Sequence, residues 1–240
     1  MALTLDPAQL TGREETHLST LPSGHRLQAA AAEAFLALRQ DALAAGFDLA
    51  IASSFRSYSR QLDIWNGKVS GRRSVHDDAG REVAMASLSR RDQLWAILRY
   101  SAIPGTSRHH WGTDLDVFDA AAVPEGYQLQ LSPQEVAPGG VFDALHRWLD
   151  QRMARGESRG FYRPYGRDNG GVAPERWHLS YAPLAVACGQ QLTAEMLLAC
   201  WEECGKRDEP LLLADEIRLE LAQIMARYVA VAPGWCPAPR

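Results

Sequence analysis

No stretch of the chain is both apolar and long enough to span a bilayer, which excludes a membrane-spanning helix. The opening Met1-Ala2-Leu3-Thr4-Leu5-Asp6-Pro7 does not have the basic start and apolar run of a secretory leader. Asp6 and Pro7 interrupt it, and Arg13-Glu14-Glu15 follows. A cytoplasmic protein is therefore expected. An excess of one charge is missing too: 25 Lys and Arg stand against 29 Asp and Glu, for a net charge of -4. That balance gives no long-range pull toward nucleic acid or an anionic membrane. Cysteine is scarce, and Cys188, Cys200, Cys204 and Cys236 all lie in the last quarter, where no histidine accompanies them. Reduced, partly buried thiols are expected rather than a second metal site. Internal repeats and low-complexity tracts are absent.

What is there is alternating helix and strand. Arg26 to Ala45 is rich in good helix formers, with apolar residues at helical spacing, and Gly46 is placed to end it. Phe47 to Ala52 reads as a short buried strand, and Ser57 to Trp65 as a helix capped by Ser57. A polar, basic loop is expected over Gly67 to Gly80, then a helix from Ser89 to Tyr100. Strands are expected at Thr113 to Phe118, Gly160 to Tyr165 and Arg176 to Tyr181, with a helix over Val141 to Met153. Thr193 to Cys204 and Glu209 to Val229 read as helices, the second an amphipathic surface helix whose Glu209, Glu216 and Glu220 are countered by Arg218 and Arg227. The fold class is α+β: one domain over residues 1–185, with a helical C-terminal extension, residues 186–240, packed on it.

Two stretches carry chemistry: Ser107-Arg108-His109-His110-Trp111-Gly112-Thr113-Asp114-Leu115-Asp116 and Glu175-Arg176-Trp177-His178. A catalytic zinc site takes three ligands from His and Asp/Glu and leaves a position open. His109, Asp116 and His178 supply such a set, and paired strands about 5 Å apart can aim Asp116 and His178 at one point. Glu175, three residues before His178, is the natural base. His-X6-Asp and Glu-X-X-His are each weak patterns alone, and a surface histidine or solvated carboxylate satisfies either. His110 points away from His109 if the segment is extended.

Together the two stretches resemble the Ser-X-His-X-X-Gly-X-Ala-X-Asp and Glu-X-Trp-His motifs of VanY-type D-alanyl-D-alanine carboxypeptidases, which belong with lysostaphin-type and hedgehog-type domains. Ser54-Phe55-Arg56-Ser57-Tyr58-Ser59-Arg60-Gln61 resembles that family's Gly-Tyr-Arg-Ser-X-X-X-Gln segment. Order and spacing agree over residues 47–181. The resemblance implies an antiparallel sheet flanked by helices. It also implies one Zn2+ held by His109, Asp116 and His178, and Glu175 as acid/base. Arg56 and Ser107 would hold the substrate's terminal carboxylate and neighbouring carbonyl, supported by Gln61; a planar guanidinium matches a carboxylate with two parallel hydrogen bonds. Ser54 and Asp114 depart from the pattern. Asp114 shares a strand face with Asp116, so it either orients a ligand histidine or faces substrate. Trp177 is a further candidate near the site.

The substrate implied is a peptidoglycan stem peptide. In a cytoplasmic setting the expected reaction is L,D-carboxypeptidase trimming of recycled tetrapeptides. D,D-carboxypeptidase action on stems ending in D-Ala-D-Ala is the alternative. An endopeptidase and a non-catalytic zinc-bearing module are the more distant ones. Arg163 and Arg167, in the loop before Glu175, are candidates for holding a diamino acid side chain. The oligomeric state is left open.

Overall fold

The computed structural model describes residues 4–207 and 210–231. A short helix α1, Pro7–Leu10, leads into a two-residue hairpin of β1, Ser19–Thr20, and β2, Arg26–Leu27. Helix α2, Ala29–Ala44, follows. It buries Ala31, Ala32, Phe35, Leu38 and Ala42, a helical-period stripe, against the sheet. Strand β3, Leu49–Ser53, comes next, and then α3, Tyr58–Val69. Ser57 caps α3 by accepting from Arg60 N at 3.2 Å. This helix runs one turn beyond the sequence expectation, so Gly67 and Lys68 are helical rather than part of the loop.

Helix α4, Arg90–Leu98, precedes β4, Asp114–Asp119. A single turn α5, Pro133–Val136, leads to α6, Asp143–Ala154, then β5, Phe161–Tyr162, and β6, His178–Tyr181. Three helices close the described chain: α7, Ala182–Gln191, α8, Ala194–Gly205, and α9, Ala214–Ile224, the last running into a π-helical turn at Met225–Val229. Among the described residues no helix is long and apolar enough to cross a membrane.

The four long-range strands form an antiparallel sheet in the order β3-β4-β6-β5. Period-two alternation divides its faces. Leu49, Ile51, Leu115, Val117 and Leu179 point into a dry core with α2 and α6. Asp114, Asp116, His178 and Ser180 point the other way, and register sets Asp116 opposite His178 and Asp114 opposite Ser180. A second core joins Leu62, Trp65, Leu94 and Ile97 to Leu197, Trp201, Ile217 and Ile224, so the C-terminal helices pack on α3 and α4.

The charges of α9 are arranged differently from the expectation. Arg90 of α4 pairs with Glu216 at 2.5 Å and Arg91 with Glu220 at 2.5 Å, while Arg218 meets Asp215 and Arg227 reaches the Gly170 carbonyl. The neighbouring helix neutralises the glutamates, because Ile217, Leu221 and Ile224 press α9 down beside it. Glu209 and Cys236 lie outside the described residues. Cys188, Cys200 and Cys204 are buried.

Candidate active site

The site is built at the polar face of β4 and β6. Asp116 and His178 come from these strands, and His109 from a 3-10 turn, Arg108–Trp111, that feeds β4. Gly112 ends this turn at φ +68, where a Cβ would lie 2.2 Å from Leu18 and 3.2 Å from the Gln28 nitrogen. No side chain fits there, so glycine sets the angle at which the turn enters the strand.

The turn is stitched to the segment carrying Arg56. Arg56 N donates to His109 O at 3.2 Å, His109 Nδ1 bonds Ser54 O at 2.9 Å, and His110 Nδ1 bonds Arg56 O at 2.6 Å. His110 is spent on this task, its Nε2 accepting from Gly105 N at 3.1 Å. Burial drives its pKa down to about 3, so it stays neutral. It stands apart from the metal-ligating group because it is locked between two backbone segments, the turn being 3-10 rather than extended.

Ligand-capable atoms of His109, Asp116 and His178 all lie within 4.8 Å of one another, and all three residues are buried. Each histidine is oriented by a bond from its other nitrogen. His109 Nδ1 donates to the Ser54 carbonyl and His178 Nε2 donates to Asp114 Oδ1 at 2.9 Å, leaving His109 Nε2 and His178 Nδ1 facing Asp116 at 3.4 Å and 3.3 Å. Burial lowers the His109 pKa, so its Nε2 presents a lone pair toward a carboxylate oxygen. Asp116 Oδ1 is buried and makes no well-aligned hydrogen bond to any described residue. Against burial, Asp114 and Asp116 raise the His178 pKa to about 9, so a proton occupies the place between His178 Nδ1 and Asp116 that a cation would take. Two imidazoles and one carboxylate, each set by an outer partner, fit zinc.

Asp114 is the outer partner of His178. It is fully buried and accepts from Arg108 Nε at 2.8 Å and Thr113 Oγ1 at 2.5 Å as well. It therefore faces neither substrate nor solvent. Burial opposes its charge, but Arg108 and His178 outweigh that and hold its pKa well below the carboxylate range. Arg108 was not among the sequence candidates. Its NH2 also donates to Tyr162 Oη at 2.8 Å and Ser180 Oγ at 2.7 Å, making it the hub behind the metal face.

Glu175 enters on a tight turn: its N donates to Tyr165 O at 2.9 Å, and His178 N returns to Glu175 O at 3.1 Å. That turn brings Oε2 to 3.6 Å from His178 Nδ1, beside the ligand cluster. Burial pushes the Glu175 pKa up to about 7; His178, Arg56 and Lys68 pull against it, and Asp116 adds to it. A carboxylate poised near neutrality suits a group that takes and returns a proton.

Arg56, Ser107, Glu175 and Trp177 line the same cavity of about 580 Å3 as the three ligands. Gln61 stands behind them, accepting from Arg56 NH1 at 2.9 Å and donating to Ala102 O at 2.7 Å. Trp177 also packs on Val136 and Phe142, which fixes the turn between Glu175 and His178. Arg163 and Arg167 do not line the cavity. Arg163 is turned into the protein, where it meets Asp150, the Arg176 carbonyl at 2.7 Å and His146 at 3.2 Å. Arg167 sits on the exposed loop beyond it. Two residues after β5 the chain has already left the sheet, and of that loop Tyr165 faces the cavity. Lys68 and Tyr100 also line it; neither belongs to a recognisable motif.

Residues 24–184 match the family model described as VanY, D-alanyl-D-alanine carboxypeptidase. The chain belongs to this family. An uncharacterized protein of Haemophilus influenzae is 47% identical over 105 residues, covering 42% of this chain and 72% of that one. A second from the same organism is 37% identical over 129 residues, covering 53% and 92%. Among solved structures, VanYB in complex with D-alanine-D-alanine aligns with a TM-score of 0.50 and 23% identity, over 78% of this chain and 90% of that one. The α+β fold is thus that of the VanY family, and the protein is a metallopeptidase of that family with a His-Asp-His site suited to Zn2+.

Proposed function

We propose that this VanY-family peptidase is an L,D-carboxypeptidase that removes the terminal D-alanine from peptidoglycan tetrapeptide stems, in cytoplasmic recycling of cell-wall peptides. The observation that carries the carboxypeptidase reading is Arg56 in the same cavity as Glu175 and the ligand trio. Gln61 fixes the guanidinium, which faces Asp116 and Glu175 electrostatically and forms no ion pair with any described residue. A free carboxylate is the ligand such a fork lacks.

His109, Asp116 and His178 would hold zinc, which when bound would supply Lewis acidity and lower the pKa of water. Glu175 accepts the proton of the attacking water and passes it to the departing amine of D-alanine. Arg56 and Ser107 hold the terminal carboxylate and the carbonyl beside it, fixing which bond lies over Glu175. Asp114 and Arg108 keep His178 in the tautomer that presents Nδ1.

Three features support the finer reading. The cavity of about 580 Å3 is in the range that holds sizeable ligands, with room for a long diamino acid side chain ahead of the terminal residue. Loop residues 79–80 and 132–134 also meet over it, a Cβ on Gly80 lying 3.6 Å from Gln134, which suits a chain end better than a cross-linked strand. Cys188 and Cys200, buried as free thiols, suit a reducing compartment. Incubating the zinc-loaded protein with purified tetrapeptide and pentapeptide stems should release D-alanine from the tetrapeptide, and a chelator should stop it. Release from the pentapeptide alone would replace this reading with the D,D one.

A further inference from the structure

Lys68 lies on α3 seven residues after Gln61, two helical turns on, so the two side chains share one face of the helix. Their acceptors are neighbours as well: Gln61 donates to the Ala102 carbonyl at 2.7 Å, and Lys68 Nζ donates to Ser101 Oγ at 2.7 Å. One side of the cavity is therefore lined by Lys68 of α3, by Arg56 just before that helix, and by residues 101–102 on which the helix docks. It presents Arg56, held by Gln61, and Lys68, held by Ser101. Both cations line the cavity with Glu175.

The charges around this wall sort into pairs that are already satisfied and two that are not. Asp78 is taken by Arg99, Asp77 by Arg81, and Arg108 by Asp114. Asp63, the acid of α3, is occupied by Arg60, Arg72 and Arg73. Lys68 bonds a neutral hydroxyl, and neither it nor Arg56 forms an ion pair with any described residue. Asp116 and Glu175 remain on the other side of the balance, and a divalent ion at the ligand trio cancels both. Arg56 and Lys68 then stand as uncompensated positive charge in a partly buried pocket.

We propose that Lys68 is a second cationic anchor for the substrate's terminal carboxylate, closing on it beside Arg56, and so a determinant of specificity for a free chain end. This rests on the carboxypeptidase reading above and names one of its recognition groups. Burial lowers the Lys68 pKa and Glu175 opposes that, as for an ammonium kept out of water without a counter-ion of its own. A substrate that continues past the scissile residue, or whose terminus is amidated, brings no charge to this wall and leaves two half-buried cations unpaired. The rejection of such chains is therefore electrostatic as well as steric.

The test is binding to zinc-loaded, full-length protein carrying Glu175→Ala, so that no turnover intervenes. L-lysyl-D-alanine and D-alanyl-D-alanine are titrated by calorimetry, each as free acid and as C-terminal amide, with Lys68 intact, as Lys68→Met and as Lys68→Arg. For the dipeptide that binds more tightly, Lys68→Met should weaken the acid at least tenfold and change the amide less than twofold. Lys68→Arg should recover most of the loss, which a mere packing role of the side chain would not produce. Equal weakening of acid and amide, or no change in the acid, overturns the role of Lys68 while leaving the carboxypeptidase reading standing. Failure of both free acids to bind when Lys68 is intact overturns both.

Discussion

The two faces of one sheet are held by different rules. On the inner face Leu115, Val117 and Leu179 meet α2 and α6 in a core where any well-fitting apolar side chain serves. On the outer face the residues between them, Asp114, Asp116, His178 and Ser180, have their polar atoms aimed singly. Asp114 is saturated by Arg108, Thr113 and His178, whereas Asp116, two residues along, keeps a buried oxygen with no well-aligned hydrogen bond to any described residue. The contrast separates a carboxylate that positions from one that ligates. One strand carries both because alternation lets it serve the core and the site at once.

The largest effect expected on the outer face is at Glu175. Glu175→Gln should lower kcat/KM by roughly a hundred- to ten-thousandfold, the span of a lost acid/base group, with zinc content unchanged; undiminished turnover removes Glu175 from the mechanism. In the parent protein the charged form is the competent one, and burial sets its pKa at about 7. Activity should therefore fall below that pH, and a bound dication, favouring the charged form, moves the fall lower. The stability sign runs the other way. A carboxyl whose folded pKa exceeds its unfolded value of 4.5 destabilises the metal-free fold increasingly as pH rises from 4.5 to about 7. Metal-free Glu175→Gln should therefore melt higher than the parent at pH 8, and the two should converge near pH 4.5. A constant gap across that range would mean the carboxyl is not buried as described.

The next effect divides the faces directly. Leu115→Ala should cost about 2 to 5 kcal/mol of stability, as for other buried leucines, yet bind zinc as the parent does once folded. Asp114→Asn, its neighbour, should loosen zinc by roughly 10- to 100-fold, the usual cost of losing a histidine's outer carboxylate. It should lower stability too, since Arg108 loses its buried counter-charge. Similar zinc affinities in the two variants would mean that Asp114 does not orient His178.

The outer face was more legible in the sequence than its surroundings for a physical reason. A ligand set needs fixed residue types at fixed spacings, so His109, Asp116, Glu175 and His178 could be named from spacing and family resemblance. Alternation put Asp114 on the face of Asp116 but left it as a partner of a ligand histidine, a substrate contact or a solvated edge carboxylate, and packing decided among them. Arg108 and Lys68 went unmarked because their tasks depend on which strand, helix or loop lies opposite, which no local pattern encodes. Arg163 misled for the same reason: its position in the chain is near Glu175, but its side chain is buried against His146 and the Arg176 carbonyl, with Asp150 as its ion-pair partner. The start of α9 was misplaced because Leu213, at φ +63, turns the chain just before it in a conformation leucine rarely adopts.

The smallest effect tests how far the comparison reaches. Arg90–Glu216 and Arg91–Glu220 join α4 to α9 at 2.5 Å each, but the arginines are largely exposed, with side-chain accessibilities of 64% and 63%. Short distances there do not amount to strong coupling, because solvent screens the pair and two long side chains must be immobilised to make it. Glu216→Ala should therefore leave kcat/KM unchanged and shift the melting temperature too little to resolve at physiological salt. Ile217, its buried neighbour, sets the scale, since Ile217→Ala should produce a clear loss of stability. A large shift for Glu216→Ala that vanishes in high salt would show that the helices beyond the sheet are held by charge rather than by their apolar face. The rule that sets inner face against outer would then stop at the edge of the sheet.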